Sequence, residues 1–475
     1  MLLLAALLAI APPDAARIAR NYRTHHEQEI LKEFVELLSI PNVASDTPNI
    51  EKNAGAIAAM FARRGATVRL LRVEGAPPVV YATLPARNAK TTIAFYAHYD
   101  GQPVDATQWT TPPWQPVVKG EGGEARIYAR SASDDKAPIM AMLAALDALA
   151  ASRQSPAVNL KFVFEGEEEA GSPHLAAYFQ KYPQELSADA WLLCDGPVHQ
   201  SRRMQLYFGA RGVVDLTMTV YGPQHPLHSG HYGNWAPNPI VALTHLIDSM
   251  RDTNGRILID GFYDDVTPLT DVERDALAAI PNIDDELKRE YALGRTEGDG
   301  KTLNELILQP ALNVHAISGG QNTNSIPTEA HATIDFRLVP SQTPEKVRER
   351  VERHIAAQNF FIVHDAPDVA TRIAHANVVQ LDWGAGYPAA RTSMELPMSR
   401  RVASVISEAT GTPPYRMPSL GGSVPMYLFQ RGGAPVIGFP IVNHDNNQHA
   451  ANEDLRVQNL WDGIEMFTAL FTNLR

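Results

Sequence analysis

Apolar residues recur at two different periods along this chain, and the switching between them outlines its organisation. Ile30, Phe34, Leu37 and Leu38 share one face at helical spacing, so a helix is expected over about 15–38, ended by Pro41. A second helix is expected over about 50–64, stopping at Gly65. Short runs rich in β-branched and aromatic residues follow, predicting strands at about 91–96, 158–164 and 190–194. Between them lie an Ala-rich helical stretch at 136–151 and a shorter one near 174–180. Near-continuous apolar strands interleaved with helices predict an α/β fold, a mixed sheet covered by helices on both faces.

The pattern changes at about Gly209. Residues 213–221 alternate apolar and polar, as a strand with one exposed face does. A helix over 239–251, strands over 312–317 and 330–338, a charged helix over 344–357 and strands near 360–363 and 378–383 complete an α+β insert. A polar, charged stretch between Asp252 and Leu308 is expected to decorate it. The α/β pattern returns with helices over 398–410 and 455–474. The expected division is therefore 17–209 and 393–475 for the larger domain, 210–392 for the insert, and 1–16 for a leader.

Composition narrows the classes. With 475 residues, 45% hydrophobic and 20% charged, the chain has the make-up of a globular protein of more than one domain. A net charge of -12 argues against nucleic acid or an anionic membrane as partner, because both need clustered Lys and Arg. The single cysteine, Cys194, excludes an internal disulfide and any cysteine-rich zinc module, and its apolar surroundings predict an inert core thiol. Met1 to Ala11 is apolar, too short to span a bilayer, and like the core of a signal peptide, although no Lys or Arg precedes it. Export to a periplasm or to the outside is the expected localisation, a cytoplasmic one the alternative. Nothing later reads as a membrane span.

Chemistry gathers just beyond the predicted strands. His98-Tyr99-Asp100 follows the first, Glu165-Gly166-Glu167-Glu168-Glu169 the second and Asp195-Gly196 the third, while Ser133-Asp134-Asp135-Lys136 opens a helix. In α/β sheets, sites collect where strands end. Each cluster taken singly fits a solvated surface. Taken together, so much like charge at strand ends is costly unless cations neutralise it. Asp, Glu and His without Cys suit two divalent ions, Zn²⁺ first and Mn²⁺ second, in a catalytic role.

The strings His98-Tyr99-Asp100-Gly101-Gln102-Pro103, Ser133-Asp134-Asp135-Lys136 and Glu165 to Ser172 resemble the M20 metallopeptidase family, and within it the carnosinase and nonspecific dipeptidase branch. The likeness continues through Leu227-His228-Ser229-Gly230, Asn324-Ser325-Ile326-Pro327, Arg337-Leu338-Val339-Pro340 and His449-Ala450-Ala451-Asn452-Glu453. The resemblance implies that His98 and Asp195 bind one metal, Glu169 and His449 the other, and that Asp134 bridges them. It implies that Asp100 holds the His98 ring by its other nitrogen and that the peptide after Asp134 is cis. Glu168 becomes the general base for a water shared by the metals, hydrolysing dipeptides or short peptides. His228 would stabilise the oxyanion across a homodimer formed through the insert, which then serves as lid and dimerisation domain. Asn324, Arg337 and Ser423 would bind the substrate, Arg337 as a fork for a carboxylate. Lys136 is expected to help hold the acidic loop. Ala129-Arg130-Ser131 departs from the family's Gly-Arg-Gly, and Ala137 from its usual Gly, both beside Asp134.

Asp195 rather than Glu at its position goes, by the same resemblance, with dipeptidases and aminopeptidases rather than carboxypeptidases and deacylases. An N-acyl amino-acid amidohydrolase is the alternative. A peptide-binding relative without catalysis is the contrasting class, disfavoured because ligands and base are all present. His444 and Asp445 could mimic a ligand pair, but His449 sits in the better motif.

Overall fold

The computed structural model describes residues 15–321 and 323–474. The leader reading falls on residues 1–16, of which 1–14 lie outside the described residues. Among the described residues no helix is long and apolar enough to cross a membrane.

In chain order the main elements are α1 (Ala15–Leu38), α2 (Thr47–Arg63), β1 (Thr67–Leu71), β2 (Val79–Leu84), β3 (Thr92–His98), α3 (Lys136–Ala151), β4 (Asn159–Glu165), α4 (Leu175–Lys181), β5 (Ala190–Leu193) and β6 (Gln205–Tyr207). There follow β7 (Gly212–Tyr221), α5 (Pro239–Met250), β8 (Ala311–Gly319), β9 (Glu329–Leu338), α6 (Pro344–Ala357), β10 (Phe361–Val363) and β11 (Val378–Trp383). The chain ends with α7 (Pro397–Thr410), β12 (Tyr415–Met417), β13 (Val436–Gly438) and α8 (Val457–Asn473). Contacts divide it into two compact units, one of residues 1–207, 392–416 and 428–475, the other of 208–391 and 417–427.

The first unit is built on an eight-stranded sheet in the order β1-β2-β4-β3-β5-β13-β6-β12. Its centre is parallel, β4 beside β3, β3 beside β5 and β5 beside β13, while β1, β2 and β6 pair antiparallel outside it. Neighbouring residues of β3 show why both faces must be covered. Phe95 meets Phe467 and Phe471 of α8 edge-on, whereas Tyr96 points the other way against Phe429. Phe162 of β4 joins the first cluster with Phe61 of α2, and Trp191 of β5 joins the second with Phe179 of α4. The sheet is therefore buried on both sides, as the unbroken apolar strands predict.

The second unit is α+β; most of it, 208–391, is inserted in the chain between β6 and α7, and 417–427 returns to it after α7. Its sheet runs β8-β9-β7-β11-β10, antiparallel except for the β10–β11 pair. Alternate residues of β7, namely Val214, Leu216, Met218 and Val220, face a core completed by Leu243, Leu246 and Met250 of α5 and Val347, Val351 and Ile355 of α6. Asp215 and Thr217, between them, are exposed. The polar stretch from Asp252 to Leu308 is more ordered than its pattern suggests, with helices at Asp271–Ala278, Asp284–Glu290 and Leu303–Leu306. Reciprocal caps, Thr270 with Glu273 and Thr302 with Glu305, start the first and last of these.

Candidate metal centre

Parallel strands present their carboxyl ends along one edge of a sheet, and that edge carries the acidic turns of the first unit. β3 ends in His98, β4 runs into Glu168 and Glu169, and β5 is followed by Asp195. Asp134 arrives from a separate turn just before α3, where the Asp134–Asp135 peptide is cis. Two groups of ligand atoms form there: His98, Glu168 and Asp195 in one, Asp134, Glu169 and His449 in the other, each within 4.8 Å.

Asp134 joins the groups. Its Oδ1 lies 2.9 Å from His98 Nε2 and its Oδ2 lies 3.1 Å from His449 Nε2. Glu169 Oε2 lies 3.2 Å from the same His449 nitrogen. The other His98 nitrogen, Nδ1, is 3.3 Å from Asp100 Oδ1 and 3.2 Å from the Asp100 carbonyl oxygen. Asp100 also accepts from the Glu168 and Glu169 backbone N–H groups at 3.1 and 3.0 Å, so one buried carboxylate aligns the imidazole and the glutamate turn together. Gln102 donates to Glu169 and Gln448 to Asp134, at 2.8 and 2.7 Å.

The electrostatics show what this set needs. Burial pushes the Glu168 carboxyl well above its usual range, with Asp195, Asp134 and Glu169 adding to the shift against the pull of His98. Burial, then Asp134, pushes Asp195 up to about 6. Asp134 runs the other way: His449 and His98 overcome the effect of burial and hold it far below the carboxylate range. His449 is pushed up to about 10 by its bonds to Asp134 and Glu169. Carboxylates this crowded ionise together only where positive charge is shared among them, and protonated imidazoles compete for the place that cations would take. Oxygen and nitrogen donors in two abutting trios fit divalent metal.

Some participants lie beyond the reach of sequence reasoning. Glu453, fully buried, accepts from Arg130 Nη1, Ser131 N, Ser133 N, Ser133 Oγ and Asp134 N, all between 2.8 and 3.0 Å. It reaches that loop because 454–456 pairs antiparallel with 126–128. Lys136 acts on the acidic loop through the charges of Glu453 and Asp100 and not through a side-chain hydrogen bond to it. Its ammonium, buried and pushed down to about 7 by desolvation, donates to the Leu37 and Ile40 carbonyls at the end of α1. Asp445 is engaged by Arg126 and Arg456, not by the ligand groups. Cys194 is buried, and burial raises its thiol well above the usual range.

The remaining candidates belong to the second unit. Arg337 donates through Nε to Asp335 at 2.6 Å and through Nη1 to Ser423 at 2.8 Å, which fixes the plane of its guanidinium. His228 is exposed, and its Nδ1 accepts from Gly230 N at 3.0 Å. Asn324 is exposed as well, its carbonyl accepting from Ser229 N.

Catalytic divalent-metal sites use open sets of imidazole and carboxylate, whereas closed structural zinc sites lean on thiolate. Such a set on the carboxyl edge of an α/β sheet marks a metal-dependent hydrolase. Comparison with known proteins narrows that class: residues 94–473 match peptidase family M20/M25/M40, and the chain belongs to this family, a metallopeptidase. It is 28% identical to human Beta-Ala-His dipeptidase over 409 residues, 84% of this chain and 78% of that one. It is 28% identical to the Cys-Gly metallodipeptidase of Saccharomyces cerevisiae over 408 residues, 83% and 81% of the two chains. The crystal structure of an M20 family metallo-carboxypeptidase from Sulfolobus solfataricus is similar with a TM-score of 0.78 and 29% identity, covering 94% of this chain and 99% of that one.

Proposed function

We propose that this metallopeptidase hydrolyses dipeptides or short peptides bearing a free amine, with two divalent cations, Zn²⁺ before Mn²⁺, and Glu168 as general base. The observation that carries the reading is Asp134, whose two oxygens face two different imidazoles 2.9 and 3.1 Å away. A carboxylate so placed would be shared by one cation held with His98 and Asp195 and another held with Glu169 and His449. When bound, the cations supply the Lewis acidity that makes water nucleophilic near neutral pH and polarises the scissile carbonyl. Glu168, in the trio with His98 and Asp195, takes the proton from the attacking water and returns it to the departing amine. Asp100 keeps the His98 tautomer and the Glu168–Glu169 turn in register throughout. Arg337, steadied by Asp335 and Ser423, receives the substrate carboxylate, with Asn324 beside it in that role, and His228 donates to the developing oxyanion.

His228 acts in this reading from the second copy of a homodimer. Support for such a dimer comes from β8, an edge strand whose Val314 and Ile317 are exposed, and from the exposed Val241 on α5. Bare edges of this kind pair readily, and a two-fold axis lets like strands meet. Export rests on the apolar leader, and the N-terminal sequence of the protein isolated from its host tests it.

A second reading, cleavage at a carboxyl end of substrates whose amine is blocked, has one observation in its favour, the likeness to the Sulfolobus metallo-carboxypeptidase. Turnover of a panel of free dipeptides against their N-acetylated forms separates the two. The proposal predicts preference for the free amine; preference for the acylated series overturns it and leaves the metal chemistry standing.

A further inference from the structure

Two turns distant in sequence must stand at a fixed spacing for His98 and Asp134 to share a metal. One leaves β3 at residues 98–101, the other is 131–134, and the chain between them makes a long excursion through the Val117–Lys119 and Arg126–Tyr128 strands. Such an excursion cannot hold two ligand atoms to within about 0.5 Å, the tolerance a working site asks for. Something must brace the turns directly.

Asn42, four residues beyond the end of α1, sits between them with none of its surface exposed. Its Nδ2 donates to the Tyr99 carbonyl at 2.8 Å and to Ser131 Oγ at 2.8 Å. Its Oδ1 accepts from Trp114 Nε1 at 3.3 Å, and its own carbonyl accepts from Gly101 N at 2.9 Å. Ser131 completes the brace: its Oγ donates to the Asp100 carbonyl at 3.3 Å, and its N–H meets Glu453 at 2.9 Å. Ser131 adopts φ +61, a left-handed conformation that glycine takes without cost, so the residue in place here adds a hydroxyl at some backbone expense. That hydroxyl is where Asn42 binds. A Cβ at Gly101 would collide with it, so the approach is close on both sides.

We infer that Asn42, acting through the Tyr99 carbonyl and the Ser131 hydroxyl, is a positioning residue that sets the spacing of the His98 and Asp134 turns for metal binding. The inference rests on the reading of those two residues as metal ligands. The Asn42 side chain bonds to the two turns and to Trp114 and to none of the candidate ligand side chains, and its amide is satisfied only when both turns are in place. A merely structural asparagine would support the fold and leave the affinity for metal untouched.

The test uses the full chain and three variants, Asn42→Ala, Ser131→Gly and the double variant. Zn²⁺ affinity is measured by competition with a chromogenic chelator, the visible spectrum is recorded with Co²⁺, and thermal unfolding is followed on the metal-stripped proteins. Loss of partners that orient ligands typically weakens metal binding about 10–100-fold, and that is expected for Asn42→Ala, with an altered Co²⁺ spectrum. Ser131→Gly, well suited to φ +61, is expected to fold and still bind metal about tenfold more weakly. The double variant is expected to lose less than the sum, because the two share one hydrogen bond. Should Asn42→Ala fail to fold, Ser131→Gly decides. Folded variants that bind Zn²⁺ as tightly as wild type, with an unchanged Co²⁺ spectrum, overturn the inference even if they unfold earlier. Wild type that binds no metal overturns the proposed function, and this inference with it.

Discussion

In the first unit the acidic groups of the centre are held from several sides, Asp100 and Glu453 wholly buried and His449 at the exposed rim. Asp134 is met by two imidazoles and Gln448, Asp100 by His98 and two backbone N–H groups, and Glu453 by five donors from one loop. In the second unit His228 and Asn324 stand exposed, His228 accepting from Gly230 two residues on and the Asn324 carbonyl from Ser229, distant in the chain, and only the Arg337 side chain is steadied, by Asp335 and Ser423. The contrast is what the proposed function asks of each set. Metal ligands have to be in place before the ion arrives, so the fold surrounds them with hydrogen bonds that fix rotamer and tautomer. Groups that meet a substrate need access, and what binds supplies their remaining partners.

The contrast can be broken at several points. Glu168→Gln keeps the size of the side chain and removes its capacity to take a proton, so kcat should fall about 10²–10⁴-fold with metal content unchanged. Steady-state kinetics alongside elemental analysis measures both, and a variant that loses metal as well would make Glu168 a ligand instead of a base. Glu453→Gln strips the counter-charge from buried Arg130 and should cost about 3–5 kcal/mol in denaturant unfolding. A loss under 1 kcal/mol there would mean that the loop before α3 holds its own shape. His228→Ala should lower kcat about 10²–10³-fold while leaving the unfolding midpoint in place, as befits an exposed side chain. The smallest effect is expected on stability at the edge of the second sheet. Ile317→Lys should change unfolding by no more than about 0.5 kcal/mol but shift sedimentation from dimer towards monomer, and an unshifted dimer would place the interface elsewhere.

Sequence reading reached the two parts of the molecule unevenly, for physical reasons. The helices at 136–151 and 344–357 have the boundaries their apolar spacing predicts, and β3, β4 and β5 lie within a residue or two of expectation. Long periodic segments carry their own evidence. β1 and β2 were missed because Thr67–Leu71 is short and half exposed, and Val79–Leu84 follows a Pro-Pro pair. The capped helices of 271–306 were passed over as polar, although Thr270-x-x-Glu273 and Thr302-x-x-Glu305 carry the signature of a reciprocal cap. At the centre, carboxylates and imidazoles after strand ends were visible as letters. The part played by Glu453 was not, since it depends on a strand pairing that brings Asp454 opposite Tyr128, far away in the chain. Lys136 shows the same limit from the other side, adjacent to the acidic turn in sequence and bonded to the end of α1 in space.

The proposed function requires two metal places that share Asp134, and metal stoichiometry tests this most directly. Isothermal titration of the chelator-stripped protein with Zn²⁺ should show about two ions per chain, falling to about one in His449→Ala and disturbed at both places in Asp134→Ala. A wild type that takes up a single ion, or an Asp134→Ala variant that still binds two with undiminished affinity, would contradict it.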